Sequence, residues 1–180
     1  MRHHLALIGS YLNGGETEKA RNYIRLVEYD IEAITPKRYC ENNAVNLILS
    51  YFDIKAKNNG VQFSVDAQLS HDISIPDTEL CTLLSNGLEN AIKASSKVID
   101  ENFRKVKIYC HIHKNNLLIY IENSFSGDVT MENGFPHSIQ EGHGFGTKSM
   151  AMIAEKYNGY CSFEITGEIF MLRIVLPLLT

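Results

Sequence analysis

Asn86 and Asn90 stand one helical turn apart, and Lys93 follows a turn later. With Glu89 they make a polar stripe on a segment whose other face carries Leu80, Leu83, Leu84, Leu88, Ala91 and Ile92. Asparagine is a poor helix-interior residue, costing roughly a few tenths of a kcal/mol each time it is used there. A hard cation would repay that cost. Carboxamide oxygens suit Mg²⁺, which keeps several waters and takes its remaining ligands from substrate phosphates, and Lys93 would meet those phosphates. The plainer reading is a solvated polar face.

A second constellation is Gly142-His143-Gly144-Phe145-Gly146-Thr147-Lys148-Ser149, three alternating glycines that run into the apolar-periodic segment from Met150 to Tyr157. Glycine lets the backbone approach a ligand closely, and the start of a helix offers unpaired N–H donors and a partial positive charge to an anion. Lys148 adds a full charge. The pattern reads as a phosphate cradle, and equally as a flexible surface turn when taken alone.

Asn123 is a third candidate because of its phase. In the run from Leu117 to Asn123 it falls in line with Leu117, Ile119 and Ile121, so it should point inward, where a carboxamide needs partners and could read a purine edge. Capping the turn at Ser124 is the alternative. His3 and His4 open a helical pattern. At about 100° per residue His3 lies nearly opposite the Leu5, Ile8 and Leu12 stripe and His4 on its flank. His111 and His113 share a strand face with Lys107 and Tyr109, and with no third metal ligand evident they read as exposed polar surface. His137 and His143 are placed beside nucleotide or solvent rather than metal.

These residues have to be held by a fold that the rest of the sequence describes. At 180 residues and 44% hydrophobic content the chain can build a sizeable core, and its net charge of −4 argues against a nucleic-acid surface. Cys40, Cys81, Cys110 and Cys161 are too far apart to suggest a zinc site or a disulfide framework. No apolar run reaches a membrane span, and no signal peptide is evident. Residues 3 to 34 read as a helical hairpin: after Asn13-Gly14-Gly15, the residues Ala20, Ile24, Val27, Ile31 and Ile34 form a seam that needs a partner chain, most simply in a dimeric four-helix bundle. Met1 opens directly onto this pattern, so a longer chain is expected, with a helix before Met1 completing the bundle. Pro36 marks the boundary.

From Lys37 on, the patterning predicts a strand near Lys37 to Asn42, a helix from Ala44 to Lys57, a strand from Val61 to Ala67 and a helix from Asp77 to Ser96. Strands at Val106 to His113 and Leu117 to Asn123 follow, then a long polar stretch from Ser124 to Gly146, a helix, and a final hairpin of Tyr160 to Ile165 and Ile169 to Leu176. Helices mixed with antiparallel strand pairs indicate an α+β fold, a two-layer α/β sandwich.

In this order the motifs closely resemble the ATP-binding domain of the GHKL superfamily, which includes gyrase, histidine kinases and MutL, over residues 37 to 180. Leu84-Ser85-Asn86-Gly87-Leu88-Glu89-Asn90-Ala91-Ile92-Lys93 looks like the family's N box and residues 142 to 148 like its second glycine box. Asn123-Ser124-Phe125-Ser126-Gly127 stands where the first glycine box has Asp-x-Gly-x-Gly, an Asn-for-Asp form similar to that of the sensor kinases of peptide quorum sensing.

The resemblance implies ATP and Mg²⁺ as cofactors, with Asn90 as metal ligand, Asn86 organising the metal and its water, Lys93 on phosphate and Asn123 on adenine. Gly142, Gly144, Gly146, Thr147 and Lys148 would close the phosphate end, and Ser124 to Glu141 would form the lid. Arg2-His3-His4-Leu5 looks like the phosphoacceptor box of the same kinases, with His3 as nucleophile and His4 as the alternative; His4 occupies the position where the family usually has an acidic residue. A sensor histidine kinase passing phosphate to a response-regulator receiver domain is thereby implied, as a homodimer and as the cytoplasmic part of a membrane-anchored bacterial sensor. The alternatives are an anti-sigma-type serine kinase and a non-catalytic ATP-binding module.

Overall fold

The computed structural model describes residues 2–21, 37–136 and 145–178. The chain divides into two compact units, Met1–Lys37 and Arg38–Thr180.

In the first unit, helix α1 (Arg2–Asn13) ends at a tight turn in which Gly15 takes φ 73° and the Glu16 N–H donates to the Tyr11 carbonyl at 2.9 Å. Helix resumes at residues 17–21, with Glu16 paired to Lys19 and Glu18 to Arg21 in the first turn, where acidic groups suit the dipole. The later seam positions Ile24, Val27, Ile31 and Ile34 lie outside the described residues.

The second unit starts with helix α2 (Asn43–Asn58), whose N-cap Asn42 accepts from the Val45 N–H at 3.0 Å. Then come β1 (Gln62–Gln68), helix α3 (Asp77–Ser95), a 3-10 turn at Glu101–Phe103, β2 (Lys105–His113) and β3 (Asn116–Ser124). A small ribbon, β4 (Met131–Glu132) and β5 (Phe135–Pro136), precedes helix α4 (Phe145–Lys156) and the hairpin β6 (Tyr160–Thr166) and β7 (Ile169–Pro177). Five strands form one sheet in the order β1-β2-β3-β7-β6, with β1 and β2 parallel and the other pairs antiparallel. The parallel pair is joined through α3, as a crossover requires.

Strict alternation on β2, β3 and β7 sends Val106, Ile108, Cys110, Leu117, Ile119, Ile121, Leu172, Ile174 and Leu176 into the core. Leu83, Leu84, Leu88 and Ile92 of α3 and Val45, Leu49 and Phe52 of α2 are buried in the same cluster, which makes the two-layer α/β sandwich that the sequence predicts. The β2–β3 hairpin turns through Lys114 and Asn115 at φ 47° and 60°, the geometry a two-residue hairpin favours.

Two expectations are corrected. Residues 37–42 form no strand: the Tyr39 N–H donates to Asn46 Oδ1 at 2.7 Å and the Glu41 N–H to the Leu69 carbonyl at 3.1 Å, so side-chain and loop acceptors take the place of a ladder. The polar stretch after Ser124 contains the β4–β5 ribbon, which turns through Asn133 and Gly134 at φ 50° and 80°. Asn-Gly between short apolar flanks was a legible hairpin signal.

Candidate functional site

Helix α3 carries the polar stripe and α4 meets it. A Cβ placed on Gly146 would lie 3.3 Å from Asn86 Oδ1 and 3.4 Å from its Cγ, so the first turn of α4 rests against the Asn86 carboxamide. Any larger residue at 146 would fill this approach. Asn86 is half-buried, Asn90 and Lys93 are exposed one and two turns on, Thr147 is buried and Lys148 is exposed. The start of the α4 helix, with its orphan N–H groups, is therefore brought to the asparagine stripe. Gly142, Gly144, His137 and His143 lie outside the described residues.

Behind Asn86, α3 is pressed onto the sheet at Gly87. A Cβ there would come to 2.6 Å from Ile121 Cδ1 and 2.9 Å from Leu172 Cδ2. Glycine is required at this crossing because no side chain fits. Ile121 thus faces the helix layer, and Asn123, two residues along β3, shares that face and is buried.

The Asn123 Nδ2 donates to the Ser124 carbonyl at 2.8 Å, which leaves Oδ1 as the end able to accept. Ser124 is anchored in turn: its hydroxyl lies 2.9 Å from the Ser95 hydroxyl of α3 and accepts from the Lys105 N–H at 3.0 Å. Sequence reasoning missed Ser95 as a site residue. Its position in register with Leu88 and Ile92 on the apolar face was the available signal, a small polar residue in a buried phase.

Further ties hold α3 in place. Glu79 in its first turn accepts from Lys156 Nζ and from the Tyr157 hydroxyl, both at 2.6 Å, linking it to the far end of α4. Those two hydrogen bonds, Lys156 first, hold the Glu79 carboxyl below its ordinary value, and the Glu79 contact raises Tyr157 in return. Lys55 of α2 pairs with Glu89 at 2.5 Å, so the one acidic member of the polar stripe is already engaged.

Neutral carboxamide oxygens on an accessible helix face fit a hard cation that retains water. Among the described residues no three His, Cys, Asp or Glu side chains come together as a metal cage, so such a cation would draw its other ligands from phosphate and solvent.

His3 and His4 fall on α1, and their side chains lie outside the described residues. His111 and His113 part company. His111 stacks on Tyr109 at 3.8 Å and bonds Asp66 Oδ1 at 2.8 Å, which makes it half-buried and structural rather than plain exposed surface, while His113 is exposed. All four cysteines are free thiols, and burial pushes Cys161 up to about 12.

A two-layer sandwich with an asparagine stripe facing a glycine-led helix defines a class of nucleotide-binding domain. The family model for the GHKL domain matches residues 76–177, more than half of the chain, and the chain belongs to that ATP-binding family. No curated protein sequence matches it. Among solved structures, it is similar to the catalytic domain of histidine kinase ThkA, with a TM-score of 0.60 at 19% identity over 74% of this chain and 91% of that one. It is also similar to the Acinetobacter baumannii histidine kinase AdeS, with a TM-score of 0.59 at 15% identity over 99% of this chain and 97% of that one. Full-length ShkA in complex with AMPPNP gives 0.57 at 13% identity over 76% and 30%. At these identities the likeness is one of fold.

Proposed function

We propose that the chain is the catalytic region of a sensor histidine kinase, which transfers the γ-phosphoryl of ATP to His3 and from there to an aspartate of a response-regulator receiver domain. The observation that carries this reading is the seating of Gly146 on Asn86, which sets a helix start against the asparagine stripe. His4 is the alternative acceptor. In the transfer a ring nitrogen of the histidine bonds the phosphorus, the bond to ADP oxygen breaks, and the imidazole proton leaves to solvent or a neighbouring base.

Asn90 would hold Mg²⁺ with Asn86 beside it, and bound Mg²⁺ would neutralise charge on the phosphate oxygens. Lys93 and Lys148 add positive charge at the phosphates, Thr147 and the glycines 142, 144 and 146 let the backbone approach them, and Asn123 faces the base. A carboxamide at 86 cannot take a proton from water, which favours transfer to a protein acceptor over hydrolysis. The N-terminal helices form the homodimer contact, and the whole protein sits at the cytoplasmic face of the membrane as a bacterial sensor, of the peptide quorum-sensing type by its Asn123 form. No helix among the described residues is long and apolar enough to cross a membrane.

Incubation with γ-labelled ATP and Mg²⁺ tests this. The label should be acid-labile and alkali-stable, absent from His3→Gln and from Asn90→Asp, and chased onto a receiver domain. Acid-stable label on a partner protein would instead establish a serine kinase.

A further inference from the structure

Asn123 differs from the Asp that the resemblance puts at its position in a way that matters chemically. A carboxylate accepts at both oxygens, whereas a carboxamide accepts at one end and donates at the other. Turned the wrong way, Asn123 would present NH₂ to a base and favour an oxo group over an amino group. The partner of Asn123 settles the orientation, because the Ser124 carbonyl 2.8 Å away can only accept and must face Nδ2. Ser124 could not hold that position if its own segment shifted. Its backbone pairs with Ile169 of β7, and its hydroxyl is fixed by three contacts, the Lys105 N–H at 3.0 Å, the Lys105 carbonyl at 3.4 Å and the Ser95 hydroxyl at 2.9 Å; Ser95, Asn123 and Ser124 are all buried. Ser95 also lies 3.4 Å from the Lys105 carbonyl, so the last turn of α3 is tied to the β2 and β3 ends together.

We infer that Ser95 is a positioning residue which, through Ser124, locks the Asn123 carboxamide with its oxygen toward the base, making the site selective for a 6-amino purine over a 6-oxo purine. This rests on the reading of Asn123 as the base-facing residue. The lock lets asparagine do the work of an acceptor-only side chain.

Dissociation constants for ATP and ITP, which differ at that 6-position, provide the test. The unsubstituted protein should prefer ATP by about tenfold or more, the discrimination that a polar site achieves when a mismatch leaves a buried acceptor facing an acceptor. Ser95→Ala should bring the two within about threefold of each other. Asn123→Asp should keep the preference for ATP with or without Ser95→Ala, because a carboxylate presents an acceptor whichever way it turns. A merely structural Ser95 would weaken both nucleotides together and leave the ratio unchanged, and that result overturns the lock.

A second measurement needs no variant. The side-chain NH₂ of Asn123 should exchange with solvent far more slowly than that of exposed Asn90 in nucleotide-free protein, and equal rates overturn the lock even if Ser95→Ala fails to fold. If neither nucleotide binds, the assignment of Asn123 to a base falls together with the function proposed above. ATP binding with an unchanged ratio removes the lock alone.

Discussion

Gly87→Ala would ordinarily be a stabilising change. In an exposed helix interior alanine is favoured over glycine by about 0.8–1 kcal/mol. At Gly87 the new methyl would meet Ile121 Cδ1 at 2.6 Å and Leu172 Cδ2 at 2.9 Å, so the isoleucine methyl would have to retreat roughly 0.8 Å to reach ordinary contact at 3.4 Å. Both neighbours are buried and have nowhere to go without moving others. Overpacking of this kind costs about 1–3 kcal/mol. The net effect is a destabilisation of up to about 2 kcal/mol, which for a chain of this size lowers Tm by up to roughly 8 °C. Ile121→Val removes the offending Cδ1; alone it should cost about 0.5–1.5 kcal/mol. Combined with Gly87→Ala it should cost less than the two changes added together. Thermal unfolding of the four proteins in the cycle gives the coupling directly. A rise in Tm for Gly87→Ala, or strict additivity with Ile121→Val, would refute the close helix–sheet crossing.

Gly159→Ala should be far more damaging, because its methyl would sit 2.0 Å from the Val175 carbonyl oxygen, and backbone cannot rotate aside as a side chain can. A loss on the order of 3 kcal/mol or more is expected, read as unfolding at ordinary temperature or as insoluble expression. The Glu79 contacts make a pH prediction. Because Lys156 and Tyr157 lower the folded-state value of Glu79, its contribution is present above the unfolded carboxyl value of about 4.3 and is lost as pH falls through the folded one. The Tm deficit of Glu79→Gln should therefore be steady near neutrality and shrink below about pH 4, and a deficit that grows in acid would contradict the assignment.

Most of the sandwich was legible because its period is local. Val106, Ile108 and Cys110 alternate with Lys107, Tyr109 and His111, and that alternation alone places β2 with one face in the core. Asn123 could be phased inward from Leu117, Ile119 and Ile121 for the same reason. What escaped depended on partners distant in the chain. Residues 37–42 look like a strand, but Asn46 and Leu69 take their N–H groups. The importance of Gly87 shows only once Ile121 and Leu172 are opposite it, and Ser95 looks like a weak helix end until Ser124 arrives 29 residues later. His111 could not be told from a surface histidine without Asp66 on the neighbouring strand.

Helix α3 carries Gly87, Ser95 and the asparagine stripe, and its geometry couples them. Asn86 and Asn90 flank the turn that begins at Gly87, where the helix lies too close to the sheet for a side chain, and Ser95 at its end grips the strand tip that carries Asn123. A rigid helix rising 1.5 Å per residue sets the spacing from the asparagine stripe to Ser95 in advance. Asn123 and the asparagine stripe are therefore parts of one body, pinned by a crossing that admits no side chain and by a buried hydroxyl pair. Their backbone need not be brought together when a nucleotide binds. The link from α3 to α4 is of another kind. Lys156 is largely exposed, and an ion pair of that exposure is worth at most about 1 kcal/mol. Variation at Gly87 should consequently disturb base and phosphate recognition together and variation at Ser95 base recognition, whereas variation at Lys156 should leave both intact.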